Sequence, residues 1–208
     1  MTTVTIRAAA SQFRLANLLT YLSLSAAAMG IAFTDGPATR SWAGLGIALA
    51  IAFDLFDGRF ARLFPRTDDD RRFGIEIDSL ADVIAFGVAP PLCLVTVAAA
   101  TGPAGRALLL AAAVFYLLCI VTRLAHFNVF QAETGGFIGL PSNMPALACS
   151  VLLVWVPGPI LTGVVLVAGG AATVAGFWIP RPNKVVLYSL LAICLVVAGI
   201  HLFRLMTT

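Results

Sequence analysis

Asp54-Leu-Phe-Asp57-Gly58-Arg-Phe-Ala61-Arg62 and, after an 11-residue connection, Gly74-Ile-Glu-Ile-Asp78-Ser-Leu-Ala-Asp82 are the stretches whose reading decides this fold. In a helix running to about residue 62, Asp54, Asp57, Gly58, Ala61 and Arg62 stand at spacings of 3 and 4 and share one face. Gly74, Asp78 and Asp82 stand at i, i+4 and i+8, so they form a row on a second helix. Two antiparallel helices joined by a short connection lie side by side. Four aspartates from facing helices therefore converge at one end of the pair.

The surrounding chain says what kind of protein holds such a pair. Of its 208 residues 60% are hydrophobic and 11% charged, with a formal net charge of +3. Soluble domains run at about 25% charged residues, so the composition is that of an integral membrane protein. Nine of the ten acidic residues lie between Asp35 and Asp82, and Glu133 alone follows. The start, MTTVTIRAAASQFR, leads into a 20-residue charge-free run and lacks the pattern of a cleavable signal, so that run is read as a span. Cys93, Cys119, Cys149 and Cys194 are far apart in apolar segments without C-x-x-C spacing and read as small core residues. Thirteen basic residues spread thinly along a hydrophobic chain form no patch for nucleic acid, which excludes that class of partner.

Charge-free runs mark the spans, since a helix needs about 20 apolar residues to cross a hydrocarbon core of about 30 Å. The run from 134 to 180 is too long for one helix and is split by Pro157-Gly158-Pro159. The reading is an all-α integral membrane protein, a bundle of about seven transmembrane helices over 15–33, 41–62, 73–98, 105–128, 142–156, 159–178 and 184–204. The whole of 1–208 is read as one domain, with no repeat or long linker. With the N-terminus inside, one side carries ten basic residues, namely Arg7, Arg14, Arg59, Arg62, Arg66, Arg71, Arg72, Arg123, Arg181 and Lys184. The other side carries three, Arg40, Arg106 and Arg204. The positive-inside rule then predicts a cytoplasmic N-terminus, an external C-terminus and an aspartate cluster at the cytoplasmic face.

Four carboxylates packed together repel one another unless a cation neutralises them. Oxygen ligands without His or Cys suit Mg²⁺ or Mn²⁺, and Asp54, Asp57, Asp78 and Asp82 suffice to share two such ions, the usual device for moving phosphoryl groups. Gly58 and Ala61 lack bulk and allow a ligand close to the backbone, and Arg62 offers a fork for phosphate. Asp68-Asp69-Asp70 with Arg71-Arg72 reads as a solvated loop. A reading from another class is a cation transporter, since intramembrane aspartates also line ion paths; it predicts carboxylates near the bilayer middle on several spans, and the later spans offer none.

The pattern D-x-x-D-G-x-x-A-R, a spacer, then G-x-x-x-D-x-x-x-D resembles the signature of the CDP-alcohol phosphotransferase family, membrane enzymes that join a CDP-activated group to an alcohol and release CMP. Asp78-Ser-Leu-Ala-Asp82-Val83, Phe86-Gly-Val-Ala-Pro90, Arg123-Leu-Ala-His126-Phe127-Asn128 and Phe137-Ile-Gly139-Leu-Pro141-Ser142 are similar to its phosphatidylserine synthase branch. Asn17-Leu-Leu-Thr20 is similar to the family's opening. The spacer between Arg62 and Gly74 is longer than the family's usual one and reads as a longer cytoplasmic loop. His126 stands where the branch more often has Arg.

The resemblance implies a six-helix core plus one helix, a homodimer in the cell membrane, and transfer of a phosphatidyl group from CDP-diacylglycerol to L-serine. Asp54, Asp57 and Asp78 would hold the metals, with Asp82 sharing the second ion and serving as general base. Gly58, Ala61, Arg62 and Gly74 would form the CDP site. Choline, glycerol phosphate or inositol phosphate are the alternative acceptors. For the acceptor carboxylate the candidate is Arg123, with Asn128 and Ser142 as hydrogen-bond partners. Arg123 also fits a second description, a positive-inside anchor that snorkels to the interface. Arg181 and Lys184 read as topology anchors, and His126 and His201 as structural.

Overall fold

The computed structural model describes residues 9–98, 102–134 and 136–207, so Arg7 lies outside the described residues. Two short turns, Ala9–Gln12 and Leu15–Asn17, lead into α1 (Leu18–Ala32). Then come α2 (Arg40–Ala61), α3 (Asp68–Val97) and α4 (Pro103–Thr134). After β1 (Gly136–Ile138), α5 (Asn143–Leu152) and α6 (Pro159–Thr173) form a hairpin broken at Pro157-Gly158-Pro159, and β2 (Trp178–Pro180) precedes α7 (Lys184–Thr207). Five of these helices are long and apolar enough to cross a membrane, and α5 and α6 are shorter. The chain is an all-α, multi-pass membrane protein whose only strand pairing among the described residues is the antiparallel β1–β2 ribbon, with Phe137 opposite Ile179.

Helix α2 is the central post, with α1, α3, α5 and α7 packed around it, while α6 packs on α4. The core joins Ile47 and Ile51 of α2 to Phe86 and Ala89 of α3 and to Tyr116 and Ile120 of α4. Close approach replaces bulk where α1 crosses α2. A Cβ at Gly46 would lie 2.8 Å from Gly30 Cα and 2.5 Å from the Ala26 carbonyl oxygen, so only glycine fits. Small polar side chains finish the packing by serving backbone carbonyls across helices. Ser23 Oγ donates to Ala50 O at 3.0 Å, and Ser150 Oγ donates to Gly44 O at 2.8 Å. His201 is fully buried with Nε2 3.0 Å from Ser150 O, in line with its structural reading. All four cysteines are free and buried, as their apolar settings predict.

The start of α3 corrects two expectations. Asp68–Asp70 is not a loop but the first turn of the helix, and the extra residues of the spacer lengthen α3 instead of the connection. Thr67 caps it. Its Oγ1 accepts from Asp70 N at 3.2 Å and its own N–H donates to Asp70 Oδ2 at 3.0 Å, a capping box that the T-x-x-D spacing at 67–70 encodes. Asp68 and Asp69 stay exposed, whereas Asp70 is only 4% exposed and pairs with Arg14 at 2.6 Å, tying the segment before α1 to the head of α3. Other boundaries shift too: α4 runs on to Thr134, and α5 and α6 stop at Leu152 and Thr173.

Within α3, residues Val83–Val88 form a π-helical turn. The sequence supplies the cause in Ala89-Pro90-Pro91. Two consecutive prolines bring no N–H groups to the carbonyls four residues earlier, and their rings crowd those carbonyls in a regular α-turn. The wider turn absorbs the misfit, with Ala89 N–H donating to Ile84 O, and the helix continues to Val97. The turn begins immediately after Asp82.

Candidate active site

The site is built where the ends of α2 and α4 meet the beginnings of α1, α3 and α5. One carboxylate oxygen from each of Asp54, Asp78 and Asp82 lies within 4.8 Å of the others. Asp54 and Asp82 are within hydrogen-bonding reach of each other, and so are Asp78 and Asp57. The facing rows read from the sequence are thus brought together. Asp57 sits at the edge of the group: its Oδ2 accepts from Thr20 Oγ1 at 3.1 Å, and its Oδ1 accepts from the Gly58 N–H. Asp54 is held from the far side by Asn143, whose Nδ2 donates to Oδ2 at 3.1 Å.

These donors fit a hard divalent cation. The three clustered oxygens are all carboxylate, no His or Cys joins them, and among the described residues no Lys or Arg bridges the group. Repulsion between such closely set anions is relieved only by a proton or a cation, and a dipositive ion relieves it most. The cluster could therefore hold a divalent metal ion.

Beside the carboxylates opens a cleft of about 260 Å³ lined by Asp57, Gly58, Ala61, Arg62, Gly74 and Asp78. Every residue predicted for the nucleotide lines it. Sequence reasoning missed others that do: Asn17 and Thr20 from the start of α1, Arg66 from the connection, and Arg71 from the first turn of α3. Asn17 and Thr20 were signalled by their likeness to the family's opening; the two arginines were hidden by the loop reading of 63–73. Three arginines around two carboxylates make a rim suited to an anionic ligand that also carries a metal.

The acceptor candidates are not gathered equally. Arg123, on α4, is only 7% exposed and lies within electrostatic range of Asp82 and Asp54. It lines a separate cavity of about 120 Å³ with Thr122, His126, Ile138, Thr173 and Val174. Ser142 is buried at the entrance of α5, next to Asn143. Asn128 is exposed and lies outside that cavity. Its Nδ2 donates to Ser79 Oγ at 2.7 Å, which fastens α4 to α3. Asn143, which grips Asp54, was not singled out by the sequence because a neutral residue opening an apolar helix carries no mark of its partner.

Comparison with known proteins covers the same stretch. A protein from Methanocaldococcus jannaschii named CDP-diacylglycerol–serine O-phosphatidyltransferase is 33% identical over 162 residues, 77% of this chain and 75% of that protein. Proteins of the same name from Bacillus subtilis and Mycobacterium tuberculosis are 36% and 35% identical over 120 and 145 residues. Those matches cover 58% and 66% of this chain, and 64% and 47% of the respective relatives, so the chain spans about half the length of the mycobacterial one. The family model for CDP-alcohol phosphatidyltransferases matches residues 13–197, a span that takes in both acidic helix faces, the cleft and Arg123. A match that runs over nearly the whole chain settles its membership, and the chain belongs to the CDP-alcohol phosphatidyltransferase family.

Proposed function

We propose that this protein is a phosphatidylserine synthase, transferring the phosphatidyl group of CDP-diacylglycerol to the hydroxyl of L-serine with release of CMP. The observation that carries the reaction type is the joining of Asp54, Asp78 and Asp82 beside an arginine-rimmed cleft. The names of the relatives support serine as acceptor.

Asp54, Asp57 and Asp78 would hold two divalent ions, Mg²⁺ or Mn²⁺, with Asp82 as a further ligand that also serves as general base. When bound, such ions polarise the phosphate and neutralise charge on attacking and leaving oxygens. Gly58, Ala61 and Gly74 admit the nucleotide close to the backbone, and Arg62 faces its diphosphate. Asp82 takes the proton of the serine hydroxyl, and the freed oxygen forms a bond to the phosphorus that bears the lipid. The bond from that phosphorus to the CMP oxygen breaks, and Arg62 receives the departing charge. Arg123 pairs with the serine carboxylate. The lipid tails stay in the bilayer while CDP lies at the wet end of the bundle, which we place at the cytoplasmic face of the cell membrane, in a homodimer as the family resemblance implies.

The test is a panel of acceptors offered to the purified full chain with CDP-diacylglycerol and Mn²⁺. CMP release with serine, well above that with choline, glycerol phosphate or inositol phosphate, is expected. Release with one of those and none with serine overturns the serine assignment.

A further inference from the structure

Arg123 is an arginine inside a membrane helix that forms no ion pair among the described residues. Such a charge is costly there unless something offsets its lost hydration. A snorkelling anchor would reach water, yet Arg123 is 7% exposed and its Nε is buried without a hydrogen-bond partner. What it touches is aromatic. Its guanidinium carbon lies 5.2 Å from the centre of the Phe127 ring and 5.8 Å from that of Phe137. The two rings are stacked on each other, 5.4 Å apart and 26° from parallel.

The rings come from different parts of the chain. Phe127 is one turn beyond Arg123 on α4. Phe137 stands on β1, which β2 holds in register through Phe137 opposite Ile179. The ribbon is fastened below by Gly139 N–H donating to Phe177 O at 2.8 Å and Leu140 N–H donating to Ala172 O at 2.9 Å. Ile138, the next residue on β1, lines the small cavity that Arg123 also lines.

We propose that Phe127 and Phe137 are positioning residues for the acceptor: their rings hold the Arg123 guanidinium by its charge, leaving its N–H groups for the carboxylate of a small amino-acid acceptor. This rests on the reading of the protein as a serine-using transferase. Ring faces attract a cation without consuming its N–H donors, whereas a protein carboxylate would neutralise Arg123 and compete with the acceptor's own. The β1–β2 ribbon thereby gains a role, since it sets the second ring.

Phe127→Leu and Phe137→Leu keep apolar volume and remove the ring face, and Phe137→Tyr keeps the ring. With full-length protein in nanodiscs, CDP-diacylglycerol and Mn²⁺, each leucine variant is expected to raise the KM for serine about 3- to 30-fold. Its kcat and its KM for CDP-diacylglycerol should change less than about twofold, and Phe137→Tyr should restore the wild-type KM for serine. An unchanged serine KM in both leucine variants overturns the proposal. So does a joint loss of kcat and both KM values with a lowered melting temperature, failure of both leucine variants to fold, or failure of the tyrosine variant to rescue. Wild type that is active on serine, with unshifted variants, rejects the aromatic role alone. Wild type that uses only a neutral alcohol rejects the serine reading, and this inference with it.

Discussion

Gly46 and Gly58 sit on the same helix, and a methyl group added to each would meet opposite surroundings. At Gly58 nothing lies within 4 Å of the added carbon, so packing gives no reason for a glycine there. Gly58→Ala is therefore expected to leave the melting temperature unchanged or raise it, since alanine is the better helix former. If the space over Gly58 is where the nucleotide lies, Gly58→Leu should raise the KM for CDP-diacylglycerol several-fold without lowering the melting temperature; an unchanged KM removes Gly58 from the site. Asp82 offers the complementary test. Asp82→Asn keeps size and hydrogen bonding while removing the base, so CMP release should fall about 10²- to 10⁴-fold. Mn²⁺ binding, followed by electron paramagnetic resonance, should largely persist, and unchanged turnover would refute the base role.

At the scale of elements, the helix crossings are the sensitive joints. A Cβ at Gly46 falls 2.5 Å from the Ala26 carbonyl oxygen, and backbone cannot step aside as a side-chain tip can. Gly46→Ala should cost about 1–3 kcal/mol, read as a lowered melting temperature in detergent. Thr67→Ala removes the cap of α3 and should cost about 1 kcal/mol. The carboxylate rows were legible in the sequence because helical spacing alone aligns Asp54 with Asp57 and Asp78 with Asp82. The head of α3 was misread because Asp68 to Arg72 is five charged residues in a row, which resembles solvent-facing loop unless the threonine before them is recognised as a cap. The ribbon was illegible for a different reason. Gly136–Ile138 and Trp178–Pro180 are each three residues long and meet only because α5 and α6 fold back between them, a contact with no local periodicity to announce it.

For the molecule as a whole, the short α5–α6 hairpin makes the topology robust. A hairpin that enters and leaves on one side contributes no net crossing, whether or not its tip at Pro157-Gly158-Pro159 reaches the far surface. Five helices are long and apolar enough to cross, and five crossings would put the two ends of the chain on opposite sides of the membrane. Reporters fused to each end should give opposite signals, with the N-terminal one cytoplasmic if the basic residues set the orientation; like signals would refute this arrangement. Removal of divalent ions with EDTA should abolish CMP release, and Mn²⁺ or Mg²⁺ should restore it. Activity that survives exhaustive chelation would contradict a metal role for the aspartate cluster.

The π-turn at Val83–Val88 acts on this assembly as a phase joint. A regular helix is a rigid shaft, on which rotating one end rotates the other. Five residues per hydrogen-bonded loop instead of four insert an angular offset of about 100° just past Asp82, so the acidic half of α3 and its apolar remainder answer to separate alignments. Substitutions that repack the far end around Cys93 and Leu94 can thus accumulate without swinging Asp78 and Asp82 away from Asp54. Deleting one residue between 83 and 88 would weld the shaft straight, and either the carboxylates or the core would have to lose its register.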